Sequence, residues 1–228
     1  MHLVGERKAC AALVLAFFGL LFCLNGFLGP PAFRALFYAL GATYGAAYFG
    51  LVSGWFWARW YAVGLSLSGV VEAALLAWNV GLEPIVLFWG GSHLLVWLAL
   101  FGKGPVAAFD GRKEWRDRFR MDESSANRLG KAITRAGASL PYLIMAGLAP
   151  KPGSGAIVAL ALGVAGLCGV VRLRTWGVFA LAGGAACSLL VTAETADTTA
   201  VLPWLAAAGL LAAVAPFARP IARAIRSA

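Results

Sequence analysis

Two ionisable residues stand deep inside apolar runs, where charge is expensive and demands a reason. Glu72 lies in the apolar stretch 61–80 and His93 in the stretch 83–101. At 1.5 Å per residue, Glu72 is about 16 Å from one end of its stretch and His93 about 15 Å from the end of its own. In a hydrocarbon core about 30 Å thick, both fall near the midplane. Gly81 and Leu82 join the two stretches in a short turn, which makes them antiparallel neighbours with side chains in reach of each other. A carboxyl and an imidazole so placed form a proton relay or substrate-binding pair, or else one interhelical hydrogen bond that fixes register.

Other residues widen this candidate site. Asn79 follows Glu72 by seven positions on the same helical face, and Ser92 adjoins His93, with Ser66 and Ser68 nearby. Trp89, His93 and Trp97 are spaced by four on one face. An imidazole between two indoles suits a cation or a quinone ring, and packing against the neighbouring helix accounts for the stripe equally well.

Several chemistries lack their residues. No lysine lies in an apolar run, so a retinal Schiff base has no attachment point. His2 and His93 are the two histidines, too few for bis-histidine haem ligation across a bundle or a multi-histidine iron site. Cys10, Cys23, Cys168 and Cys187 sit in apolar runs without CxxC spacing and read as small buried hydrophobes. Ser53 lies near a span end, far from the depth of His93, which argues against a serine–histidine dyad. There is no phosphate-binding glycine loop and no aspartate-rich metal motif. The expectation is no cofactor, no metal and no catalytic residue.

The elements that must position these residues follow from composition. Of the 228 residues, 61% are hydrophobic and 13% charged, and mean hydropathy is +0.80. Soluble domains carry about a quarter charged residues. The fold class expected is all-α: a polytopic integral membrane helical bundle of about eight transmembrane helices. Their approximate limits are 9–27, 33–55, 61–80, 83–101, 136–149, 155–171, 176–192 and 201–217. The fifth is short and contains Pro141, which predicts a kink or a partly interfacial course. The basic residues followed by an apolar run at the N-terminus outline a signal peptide, but the run is long and no small-x-small site follows, so an uncleaved first span is expected.

Between the fourth and fifth spans runs a polar stretch, 102–135, with nine basic residues against five acids. It divides the chain into a first membrane half, 1–101, the linker itself, and a second membrane half, 136–228. Phe109, Trp115, Phe119 and Met121 alternate there with Arg112, Lys113, Arg116, Arg118 and Arg120. That pattern suits an amphipathic helix on the inner leaflet, rings in the acyl boundary and bases on anionic headgroups, or a docking surface for a cytoplasmic partner. Asp122 is a good N-cap for a helix running through Leu129 and Ile133 into the fifth span.

With the N-terminus inside and eight spans, every basic residue except Arg34 and Lys151 falls on the cytoplasmic side, and the last outer loop carries Glu194 and Asp197. This bias sets both termini in the cytoplasm of a bacterial-type inner membrane. The net charge of +9 is thereby spent on orientation and headgroups, not nucleic acid. An offset of 115 residues pairs Gly54 with Gly169, Arg59 with Arg174 and Trp89 with Trp204, which suggests a 4+4 parallel repeat. The spans are rich in small residues, as helix packing in lipid requires. The expected function is a non-catalytic membrane subunit or interaction scaffold, with a membrane-protein partner or a second copy. The alternative is a proton-coupled small-solute transporter built on Glu72 and His93.

Overall fold

The computed structural model describes residues 2–109, 121–194 and 201–226. Among them are nine α-helices and no strand. They are α1 (His2–Leu28), α2 (Arg34–Ser53), α3 (Ala58–Val80), α4 (Pro84–Leu100), α5 (Lys103–Phe109), α6 (Glu123–Gly147), α7 (Ser154–Val171), α8 (Trp176–Glu194) and α9 (Val201–Arg226). A 3-10 turn, Pro31–Phe33, precedes α2. The protein is a polytopic helical membrane bundle: among the described residues six helices are long and apolar enough to cross a membrane, seven if α4 and α5 count as one bent span.

Two of the eight expected spans fall short of that measure. α4 is 17 residues long and turns by 70° into α5, with Gly102 at φ 101° supplying the left-handed backbone. α6 has 25 residues, about 37 Å of helix, but Glu123, Arg128, Lys131 and Arg135 occupy its first half. It is therefore not among the apolar spans. Pro141 stands inside α6, which runs on to Gly147.

The chain forms two compact units, Met1–Met121 and Asp122–Ala228. The polar stretch is divided between them: α5 belongs to the first, and its last part is the start of α6. Asp122 caps α6, accepting from Ser125 N at 3.2 Å and from Ser124 Oγ at 2.6 Å. Residues 110–120, which hold Arg112, Lys113, Arg116, Arg118 and Arg120, lie outside the described residues.

Each unit has four long helices in the same contact order, to which the first adds the short α5. In the first, α1 packs on α2 and α4, and α3 on α2 and α4; in the second, α6 packs on α7 and α9, and α8 on α7 and α9. The central turns match bond for bond. Trp55 N donates to Gly50 O and Gly54 N to Leu51 O; Arg174 N donates to Gly169 O and Leu173 N to Val170 O. Gly54 is left-handed at φ 70°, and Leu173 takes the same conformation at φ 59°. In both turns a tryptophan lies over the glycine: a Cβ on Gly50 would stand 3.3 Å from Trp57 Cη2, and one on Gly169 3.0 Å from Trp176 Cη2. The structural offset is thus 119 residues (Gly50 to Gly169), not 115, and it also aligns Pro84 with Pro203 and Gly90 with Gly209.

In the first unit the helix ends at one side are closed by basic side chains. Arg7 donates to Leu98 O at 2.6 Å and also to Phe101 O, while Arg59 donates to Leu100 O at 3.4 Å. Lys8 donates to Val52 O at 3.2 Å and sits over the Phe109 ring. Cations on the last carbonyls of α2 and α4 satisfy acceptors that have no intrahelical donor and oppose the negative helix end.

The second unit places its guanidinium differently. Arg135 Nη1 donates to Ala212 O at 2.6 Å. Ala212 is four residues before Pro216, which has no N–H to offer that carbonyl. Arg135 from α6 therefore fills an acceptor that proline leaves open in α9. Close approach of α6 and α9 is permitted by Gly209, where a Cβ would collide with Ser139 Oγ.

Candidate functional site

Glu72 in α3 and His93 in α4 do lie on adjacent helices, but the imidazole does not use the carboxyl. A Cβ on Gly69 would collide with His93 Cγ and Cδ2, and one on Gly90 would stand 2.7 Å from Ala73 Cβ. α3 and α4 thus cross with almost no side chain between them, and His93 packs directly on the α3 backbone. It is 1% exposed.

Both ring nitrogens of His93 are engaged. Nδ1 is 2.8 Å from Trp89 O and Nε2 is 2.6 Å from Tyr44 Oη. A carbonyl only accepts, so Nδ1 carries the hydrogen, and in the neutral ring Nε2 accepts from the Tyr44 hydroxyl. The bond joins α2 to α4. Phe18 of α1 stacks on the ring at 4.8 Å and 28°, and the Trp89 indole lies 4.3 Å away. The expected sandwich of His93 between two indoles does not form: His93, Trp89 and Phe18 make a triangle of mutually touching rings, with Phe18 and Trp89 edge to face at 4.8 Å. Trp97 instead stacks on Phe101, at 5.1 Å.

Glu72 has a different environment. Its Oε1 is buried and takes no hydrogen bond. The Trp89 side chain, whose one polar group is the indole N–H, is the hydrogen-bonding neighbour of its carboxyl. Beyond Glu72 the α3–α4 hairpin loses its cover: residues 74–76 and 78–80 are all exposed, Trp78 to 89%. Towards its turn end the hairpin surface is thus uncovered by other helices, while Oε1 itself is buried.

The remaining expected members are peripheral. Asn79 is exposed and donates to Leu75 O at 2.7 Å within its own helix. Ser92 is half-buried in α4. Ser66 and Ser68 are buried and donate to Ala62 O and Leu65 O of α3, each at 2.7 Å. Sequence reasoning missed Tyr44 and Phe18. The signal for Tyr44 was its place mid-span among the small residues Gly41, Ala42, Gly45 and Ala46, far from the interface where tyrosine is ordinary.

The offset of 119 residues assigns each site position a counterpart in the second unit. Tyr44 corresponds to Gly163, Glu72 to Val191, Trp89 to Ala208 and His93 to Ala212. The same four-helix arrangement forms there without any of these polar side chains.

Among the described residues no group of three His, Cys, Asp or Glu could hold a metal ion. The cysteines are free, Cys23 and Cys168 exposed and Cys10 and Cys187 half-buried. No protein-family model matches the chain, and no curated protein sequence or solved structure shows significant similarity to it.

Proposed function

We propose that the protein is a small-solute transporter coupled to protons, with Glu72 as the group that exchanges a proton for its solute. The observation that carries this reading is the buried Oε1 without a partner, in a unit whose counterpart has Val191 at that place. A carboxyl oxygen left unpaired in an apolar interior costs free energy. Packing cannot be its reason, because the second unit builds the same arrangement with an aliphatic residue. Tyr44, Trp89 and His93 hold the carboxyl's surroundings in place, while the uncovered end of the hairpin gives access from one side.

The membrane setting belongs to the same reading. Arg7, Lys8 and Arg59 meet at one end of the first unit, which supports an inner-membrane orientation with that end, the polar stretch 102–135 and both termini in the cytoplasm. The test is reconstitution. Purified protein in proteoliposomes under an imposed pH gradient should carry a proton flux that requires Glu72; equal flux from the Glu72→Gln variant removes the reading.

A second reading is a non-catalytic membrane subunit that binds another membrane protein or a second copy. It is favoured by His93, whose two ring nitrogens bond a tyrosine of α2 and a backbone carbonyl of its own helix and so pin α2 to α4. Purification with native neighbours tests it: a stoichiometric partner retained by the Glu72→Gln variant would favour this reading over transport.

A further inference from the structure

We infer that Glu72 and Trp89 form a binding site for a protonated amine with an apolar body, an assignment that rests on the transport reading and names its substrate class. Three observations limit what Oε1 can receive. A carboxylate only accepts hydrogen bonds, and Oε1 has no donor in the protein. A divalent cation needs six or more oxygens or a set of nitrogen and sulfur ligands, and no cluster of such side chains exists among the described residues. A guanidinium pairs best with both oxygens of a carboxylate, but the Trp89 indole already competes for this one. Once Glu72 has given up its proton, the carboxylate is a negative charge in an apolar interior, so the donor that takes the proton's place must carry positive charge and satisfy a single oxygen, which is an ammonium N–H.

The body of the ligand follows from the approach. Above Glu72 the hairpin exposes Leu75, Leu76 and Trp78, so the molecule must cross an apolar surface before its nitrogen reaches the carboxyl. A small aromatic amine meets both demands. Trp89 acts as a positioning residue: it occupies part of the carboxyl and leaves Oε1 for the ligand. The second unit, with Val191 and Ala208 at these places, has no such site, so one amine binds per chain.

The experiment is equilibrium binding of radiolabelled 2-phenylethylamine to the full chain in lipid nanodiscs. Wild type should bind saturably with one site, Glu72→Gln should bind at least tenfold more weakly, and Glu72→Asp should fall between them. The Glu72→Asp variant keeps the test decisive if the glutamine variant does not fold, as does Trp89→Phe, which keeps the ring, loses the N–H and should weaken binding severalfold. The trimethylammonium analogue, with charge but no N–H, should bind at least tenfold more weakly than the amine. No saturable binding by wild type, or equal binding by Glu72→Gln, overturns the inference. Binding without amine-dependent proton flux in proteoliposomes would keep the site and remove the transport reading. Glu72-dependent flux of another solute without phenylethylamine binding would do the reverse.

Discussion

The first and second units solve one packing problem with different interiors. The first fills its centre with Phe18, Tyr44, Trp89 and His93 and leaves one carboxyl oxygen unbonded beside them. The second fills the matching places with small and aliphatic residues and spends its guanidinium on a carbonyl opened by proline. Where two copies of an arrangement differ this way, the residues common to both belong to the fold. Those found in one alone are free to serve another purpose, and Glu72 is the clearest of them.

This comparison can be broken at matched positions. The largest effect is expected at Gly69 and Ser188, which the offset pairs. Gly69→Ala drives a Cβ into a rigid imidazole and should cost about 3 kcal/mol. Ser188→Ala removes a buried hydroxyl that has no hydrogen bond and should stabilise by about 1 kcal/mol. Reversible unfolding in mixed micelles measures both, and equal effects would dissolve the distinction between the interiors.

Next is the proline-linked bond of the second unit. Arg135→Ala leaves Ala212 O without its donor and should cost about 2 kcal/mol. In a Pro216→Ala background residue 216 regains an N–H for that carbonyl, and the same change should cost less than half as much. A double-mutant cycle without coupling would mean that Arg135 does not serve Pro216.

In the first unit, Tyr44→Phe removes the hydroxyl from His93 Nε2 and should cost about 1 kcal/mol, the usual scale for such bonds between membrane helices. The paired turns offer a smaller contrast. Gly54→Ala places a side chain at φ 70° and should cost about 1 kcal/mol, whereas Leu173→Gly relieves the same strain and should stabilise by about 0.5 kcal/mol after the added chain entropy.

The smallest effect concerns Asp122, the cap that opens the second unit. Its carboxyl is held down to about 2 from an ordinary 3.8, by the Ser124 hydroxyl first, then Ser125, with Arg128 adding a favourable charge. A depressed folded value means that the cap is fully present above 3.8 and is lost as pH falls through about 2. The carboxyl carbon shift of Asp122 should titrate with a midpoint near 2, and a midpoint near 4 would show the cap unmade.

Much of this was legible in the chain itself. Long apolar runs between turn residues fix helices and their order, because lipid permits little else. Asp122 announced a helix start by residue type and place. The depths of Glu72 and His93 were countable, and so was the adjacency of their helices. Their partners were not. Which way a side chain points around a helix depends on crossing geometry, here set by Gly69 and Gly90, and that geometry turned His93 towards Tyr44. The repeat was misregistered by four residues, about one helical turn, because Arg59 and Arg174 are boundary residues that any such turn favours. The turn's hydrogen bonds, invisible in sequence when a leucine replaces the expected glycine, set the true offset.

Arg7 donates to carbonyls 91 and 94 residues further along the chain. During synthesis that guanidinium is made before its acceptors and stays without them until α4 has followed. The first unit therefore closes late in its own assembly, because its seal needs the end of α4. Its interior is sealed at the Arg7 end by a residue of its first helix. A chain arrested after Phe109 has everything needed to complete that seal.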